Sequence, residues 1–510
     1  FGSSRVGFQR AALPPLTPRR MVASAQRPLL GSEAPGWPEG DKGATAASMR
    51  LEDALAAAGV GAFQRRVWLL CGLAVAADGV EKAAVMYILQ GVSKTWGVEG
   101  EPLGLLGAAS GLGQAVGSCI FGRWSDTYGR RSALVWALVT TFVPGVWCAW
   151  AQSYATFLAL RFATNVALGG ALPVAFTLVA EFLPPAERPR WSPLLYATYG
   201  LGRLVTAGLA WALVRHSWRL YLLALALPCG VLVLLKGLIP ESPYFLVAQE
   251  RHEEARRTLE EAASANGMEP PLGPRMQLLG EEAPIGAGGW ATVLQSGPAR
   301  LLCVMWFIMA LGSEWSNWAL KMMRQDGVPS SVAYGGLMFL NSNELVVPLV
   351  LALLQQSALK KGSILVLASS CGLALFSVLV VAGVVATDVG PCQFVVASVV
   401  ASYFGIAVWV LHYSVTPGYF AAEVRGTGFG ACMAFNRVGF VTGPLAAAGI
   451  VQSSQVTLFL ACAACYLILV VLALFLRCHG EGRHEEGAAA NLVNGGRREE
   501  GDAMNRAEAL

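Results

Sequence analysis

Charge is what this sequence has least of. Only 14% of its 510 residues are Asp, Glu, Lys or Arg, whereas a soluble globular domain carries about 25%. A soluble chain of this length would divide into three or four domains of about 100–200 residues, and so few charges would leave their surfaces uncovered. Soluble enzymes, nucleic-acid binders and secreted disulfide scaffolds are disfavoured together. No Asn-x-Ser/Thr glycosylation acceptor occurs. No Walker loop or other nucleotide-binding pattern occurs either, which argues against direct drive by ATP. No nucleophile–base or metal constellation falls on neighbouring helix faces, so neither enzyme chemistry nor a cofactor or metal is expected. The eleven cysteines sit nearly all in apolar runs, where a reduced thiol packs as a small hydrophobe. Cys462 and Cys465 have redox or metal spacing but no His or acid nearby, and read as structural.

What the chain has instead is apolar sequence. Hydrophobic residues make up 55% of it, and mean hydropathy is +0.52. Twelve apolar stretches fall at 67–90, 103–122, 132–151, 156–182, 191–213, 218–239, 299–319, 333–354, 363–386, 392–415, 426–449 and 455–477. Each is about 20 residues long, enough to span a bilayer as a helix. The expectation is an all-α polytopic membrane protein, twelve transmembrane helices in two pseudo-symmetric halves. The expected layout is a disordered basic tail over 1–50, six spans over 51–239, a central loop over 240–298, six more spans over 299–477, and a disordered tail over 478–510. Residues 1–31 hold five arginines and no acid, a transit-peptide-like composition that also suits a basic tail. The chain begins at Phe1, which places the translation start upstream, at Met21 or at Met49. Within the loop, Gln249 to Gly267 reads as an exposed helix, with Glu253–Arg257, Arg256–Glu260 and Arg257–Glu261 spaced i,i+4.

Basic residues in the short loops number eleven on the side of the N-terminus and five on the other. That bias puts both termini and the central loop in the cytosol. The two halves also echo each other. Gly122 to Arg131 follows the second span and Gln356 to Lys361 follows the eighth; Glu181…Arg188 follows the fourth and Glu423…Arg425 follows the tenth. Two signals displaced by similar amounts imply duplicated six-helix halves, as in many secondary transporters.

Gly122-Arg-Trp-Ser-Asp126-Thr-Tyr-Gly129-Arg130-Arg131 resembles the loop signature of the major facilitator superfamily. Within that superfamily the chain resembles the synaptic vesicle glycoprotein 2-related branch, which includes niacin and organic-ion transporters. The similarity is carried by Leu51 to Gln64, Asp78-Gly-Val-Glu81, Arg161-Phe162 through Glu181-Phe-Leu-Pro184, Pro240-Glu-Ser-Pro243 and Glu423-Val-Arg425-Gly-Thr-Gly428. The resemblance implies twelve helices and alternating access. It also implies an inner-face gating network drawn from Gly122, Asp126, Gly129, Arg130, Arg131, Glu181, Arg188, Glu423 and Arg425. The chain departs from the branch at Lys82, at Asn165, at Ser316-Asn317-Trp318 and in the second-half loop, where Gln356 and Leu359 stand for Asp and Gly.

Ionisable side chains inside spans are costly and mark pathways or pairs. Asp78, Arg203, Glu344 and Arg437 each sit about twelve residues into a span, roughly 16–18 Å deep at 1.5 Å per residue and near the bilayer midplane. They lie on the first, fifth, eighth and eleventh spans, which line the central cavity in the superfamily the chain resembles. Glu81, Lys82, Arg161 and Glu314 lie nearer the outer side, and Arg161 is as well placed to bridge Glu81 or Asp78 as to meet substrate. His412 reads as a packed core histidine. Trp306, Trp315, Trp409 and Tyr199 are either interfacial anchors or stacking surfaces for a planar ligand.

These features point to a secondary transporter, expected to be monomeric, for a small organic ion. The favoured substrate is an aromatic monocarboxylate of the nicotinate type entering with a proton. Arg437, Arg203, Arg161, Glu344, Glu314 and Trp315 are the candidate substrate contacts, and Asp78 and Glu81 the candidate proton-coupling acids. An organic cation carrier using Asp78, Glu81 and Glu344, and a non-transporting membrane sensor of the same fold, remain open. The lipid bilayer is the surrounding partner, in the plasma membrane or an organelle.

Overall fold

The computed structural model describes residues 48–98, 101–214, 216–271, 277–279, 290–313, 330–354, 363–387 and 390–476. Glu314, Trp315, Ser316 to Trp318, Gln356 to Lys361, most of the basic tail and the C-terminal tail lie outside them. A short strand β1 (Ser48–Arg50) leads into α1 (Leu51–Ala58). The first six spans are α2 (Ala62–Trp96), α3 (Glu101–Tyr128), α4 (Arg130–Cys148), α5 (Tyr154–Glu181), α6 (Arg188–Leu213) and α7 (Trp218–Leu234). The central segment holds α8 (Pro243–Ala248), α9 (His252–Asn266), strand β2 (Gln277–Leu279) and α10 (Trp290–Gln295). The second six are α11 (Gly297–Gly312), α12 (Ser330–Leu354), α13 (Ser363–Thr387), α14 (Pro391–Val415), α15 (Arg425–Ser453) and α16 (Gln455–Leu476).

The helices start and stop where local chemistry dictates. The Ser153 and Ser217 hydroxyls accept from the backbone N–H groups of Thr156 and Leu220, capping α5 and α7. Gly97 ends α2 at φ +63, a left-handed turn that glycine adopts without a Cβ clash. Six helices are long and apolar enough to cross a membrane by length and composition alone: α3, α4, α5, α13, α14 and α16. α7 and α11 are apolar but shorter. The long spans that miss this measure include α2, α6 and α15, the helices carrying Asp78, Glu81 and Lys82, Arg203, and Arg437.

Within the first half α3 packs on α5 and α2 on α6; across the halves α3 meets α15 and α6 meets α12. Both crossings run through glycine. A Cβ on Gly426 would lie 2.7 Å from the Gly122 carbonyl oxygen, and one on Gly200 would lie 2.5 Å from the Glu344 carbonyl oxygen. Backbones in spans approach this closely only where the side chain is missing.

Three sequence expectations change. Gly122 and Asp126 are not in a loop: α3 runs on to Tyr128, and the chain turns only at Gly129, at φ +97. The end of the expected disordered N-terminal tail, Ser48–Arg50, forms a two-stranded parallel ribbon with Gln277–Leu279, a small β element beside the all-α bundle. The central helix α9 is only half exposed, since Ala255, Leu259, Ala262 and Ala263 are buried, Ala255 and Leu259 in a small core with α1 and α8. Its Glu261 pairs with Arg66 of α2 at 2.7 Å.

Candidate functional site

The basic end of the bundle is closed by charges shared between the halves. Glu181, at the end of α5, accepts from Arg130 Nε at 3.0 Å and Nη2 at 3.2 Å, and from Arg425 Nη1 at 2.9 Å. Arg130 also donates to the Ser125 carbonyl and lies 3.4 Å from Asp126. Asp126 sits opposite the start of α15, where its two oxygens accept from the N–H groups of Gly426 at 2.9 Å and Thr427 at 2.6 Å. A carboxylate at a helix N-terminus satisfies orphan donors and the helix dipole together. Arg188 donates to the Ala180 and Leu183 carbonyls and to the Tyr244 hydroxyl. Glu241, beside Gly129, accepts from the backbone N–H groups of Arg130, Arg131 and Ser242. Burial holds its carboxyl above the usual range and pushes the Tyr244 hydroxyl up to about 12. Seven of the nine expected gating residues thus meet around this seam. The other two do not: the Arg131 side chain stays exposed and reaches only the Lys236 carbonyl at 3.5 Å, and Glu423 joins no cross-half bond among the described residues.

Beyond this closure lies an aromatic floor built from both halves. Tyr413 of α14 stacks on Phe176 of α5 with ring centroids 4.9 Å apart, and lies 5.4 Å from Tyr196 of α6. Trp306 backs Tyr413, fully buried, with its indole N–H donated to Thr416. Trp306 therefore supports the floor and does not face ligand. His412 packs against it with Nδ1 2.8 Å from the Val408 carbonyl, the core placement expected of it.

Above the floor is a cavity of about 310 Å³, at the lower end of small-ligand sites. It gathers the four midplane charges Asp78, Arg203, Glu344 and Arg437, together with Lys82. Tyr199 and Trp409, two of the candidate stacking residues, also line it, as do Tyr196, Tyr413, Phe440, Asn343, Ser313 and Ser402. Sequence reasoning named neither Tyr196, Tyr413 and Phe440 nor the polar trio. Tyr196 recurs one helical turn before Gly200 and two before Arg203 on α6, a spacing that could have found it.

The charges fare differently. Arg203 and Glu344 form an ion pair across the halves. Among the described residues neither Asp78 oxygen has a hydrogen-bond partner, although Asp78 is 1% exposed. Arg437, 5% exposed, makes no ion pair or hydrogen bond among the described residues. Lys82 places its ammonium 4.8 Å from the Phe440 ring centre. Arg161 and Glu81 stand outside the cavity lining. They bind each other at 2.5 Å with both side chains buried, which places them as a structural bridge and not among the groups facing the cavity.

Several polar groups converge in a concave site between two six-helix halves, and one end of the bundle is sealed. The arrangement can hold a small polar molecule between the halves, with the basic end closed beside it. Buried thiols carry no such arrangement: Cys303 and Cys432 touch at 3.8 Å, and no cluster of His, Cys, Asp and Glu suited to a metal occurs among the described residues.

Comparison with known proteins agrees with this architecture. The family model described as Major Facilitator Superfamily matches residues 69–387. Synaptic vesicle glycoprotein 2A of Rattus norvegicus is 30% identical over 233 residues, covering 43% of this chain and 31% of that protein. The match thus spans about a third of that relative's length. A Bacillus subtilis protein, provisionally named the niacin/nicotinamide transporter NiaP, is 25% identical over 393 residues, covering 75% of this chain and 87% of that protein. Among solved structures, the proton:xylose symporter XylE bound to 6-bromo-6-deoxy-D-glucose aligns with a TM-score of 0.65 at 16% identity, over 81% of this chain and 95% of that one. That likeness concerns the fold.

Proposed function

The chain belongs to the Major Facilitator Superfamily, a family of multi-pass membrane transporters for small substrates, and on that footing we propose that it carries a small organic anion by alternating access. The favoured cargo is an aromatic monocarboxylate such as nicotinate. The similarity to NiaP over most of both chains supports this class. The observation that carries it is the state of the cavity charges. Arg203 is occupied by Glu344, whereas Arg437 has no carboxylate partner among the described residues and faces an aromatic-lined space. A carboxylate would meet Arg437 through charge-assisted hydrogen bonds, with its ring against Tyr199, Trp409 or Phe440.

Asp78 is the proton-coupling group in this reading. It lies in the same cavity with both oxygens unbonded among the described residues, so it can take a proton without breaking a bond. Glu81 is committed to Arg161 and plays no coupling part. Uptake then moves one anion with one proton. The sealed basic end faces the cytosol, with both termini and the central segment, and the carrier works as a monomer with six spans in each half. A buried but partnered set of charges at the sealed end holds that state until substrate arrives.

Uptake of radiolabelled nicotinate into proteoliposomes tests the proposal. Competition by benzoate, stimulation by an inward proton gradient and indifference to quaternary amines are expected. Uptake blocked by quaternary amines but not by benzoate would overturn the anion reading in favour of a cation carrier. Binding without flux across a panel of organic acids and amines would point to a sensor of the same fold.

A further inference from the structure

We infer that Lys82 sets the sign of the substrate's charge by giving the cavity its surplus cation. The inference rests on the reading above, that an organic ion binds in this cavity. Lys82 follows Asp78 by four residues on α2, the spacing at which a helix presents two side chains on one face. Yet no ion pair within 4.0 Å joins it to any carboxylate among the described residues. Its side chain is exposed to the cavity, with the ammonium over the ring of Phe440 on α15. Phe440 in turn stacks on Trp409 at 5.5 Å, 17° from parallel. An aromatic face holds an ammonium by its quadrupole while leaving the ammonium's hydrogen-bond donors unspent. Lys82 is thus parked, not neutralised.

The remaining charges give that placement its consequence. Among the described residues the cavity is lined by two carboxylates, Asp78 and Glu344, and three cations, Lys82, Arg203 and Arg437. Arg203 and Glu344 neutralise each other. Asp78, when ionised, is left facing two cations, and the described part of the wall carries one positive charge in excess. Before Asp78 takes its proton, the wall without Lys82 is balanced, and a neutral or zwitterionic ligand then fits as well as an anion. In a site screened from bulk water, one unit of charge is enough to change which ligand wins. Lys82 also stands on the first half and Phe440 on the second, so a substrate carboxylate that draws the ammonium away alters a contact between the halves.

The test uses the full chain, purified in detergent, with nicotinate and its neutral isostere nicotinamide as paired ligands and direct binding as the readout. Wild type is expected to prefer nicotinate. Lys82→Met keeps an unbranched apolar stem and removes the charge. It is expected to weaken nicotinate binding by roughly tenfold or more while changing nicotinamide binding by less than about threefold. Lys82→Arg is expected to restore the preference. An equal loss for both ligands, or an unchanged preference for nicotinate in Lys82→Met, overturns the assignment while leaving the transport reading in place. A wild-type protein that binds neither nicotinate nor benzoate overturns the anion reading itself, and this inference with it.

Discussion

The sealed basic end and the central cavity use the same side chains to opposite effect. At the seal, Glu181 is shared by Arg130 and Arg425, and both oxygens of Asp126 accept from backbone N–H groups across the halves. In the cavity, Asp78, Lys82 and Arg437 stand close together with no ion pair among the described residues, and only Arg203 and Glu344 are matched. Charges buried with full partners hold a conformation. Charges held in a cavity without partners retain the interaction energy that a ligand can use. Breaking a buried pair by removing one member costs about 3–5 kcal/mol, because the other is left uncompensated. Removing a group that had no partner leaves nothing behind.

Glu181→Gln is expected to have the largest effect. It leaves Arg425 buried with no carboxylate among the described residues and Arg130 with Asp126 alone, and a loss of about 3–5 kcal/mol is read as a lower thermal unfolding temperature together with lost uptake. An unchanged unfolding temperature would break the comparison outright. Arg437→Met is the counterpart in the cavity. Uptake falls about a hundredfold, the value of a charge-assisted bond of about 2.8 kcal/mol, while the unfolding temperature holds or rises. A drop in stability matching that of Glu181→Gln would show that Arg437 is structural after all.

Asp78→Asn sharpens the contrast within the cavity. Stimulation of uptake by an inward proton gradient disappears, with thermal stability preserved; accumulation that still follows a pH step removes Asp78 from coupling. Asn266→Ala probes the central segment, where the Asn266 side chain donates to the Ala58 and Gly59 carbonyls and to Gln64, and accepts from the Phe63 N–H. Faster hydrogen exchange over 51–66, corresponding to about 1–3 kcal/mol, is expected with uptake nearly unchanged.

Glu241 gives the smallest effect. Burial raises its folded value, so the unfolded chain releases the proton at lower pH than the folded one. Its contribution to stability is therefore fully present below the unfolded value and shrinks as pH rises through the folded value. Glu241→Gln keeps the acceptor oxygen and removes the ionisation. The stability–pH curve flattens in that window, measured by urea unfolding at several pH values.

Much of this was legible in the residues. The twelve spans, the Gly-Asp-Gly-Arg signature and the common depth of Asp78, Arg203, Glu344 and Arg437 all follow from position along the chain, and the structure gathers those four charges in one cavity. Pairing was not legible. Nothing in the sequence says that Arg203 reaches Glu344 141 residues away, or that Arg161 goes to Glu81 and not to Asp78, because partner choice depends on helix rotation that hydropathy leaves undefined. The cavity's tyrosines were hidden for a related reason: Tyr196 and Tyr413 cannot be told by residue type from tyrosines that anchor spans at the membrane interface. The β1–β2 ribbon escaped because three-residue strands have no period to detect.

The four bonds of Asn266 have a further consequence. They fasten α9 to the turn between α1 and α2, and Glu261 adds a tie to Arg66 on α2, so α9 is tied to the first half. Arg425 sits at the foot of the second half. A spin or fluorescent label on the exposed face of α9, paired with one near Arg425, therefore works as a ruler for the rocking of the halves. Its reading should be short in the sealed state and should lengthen each time the carrier turns over.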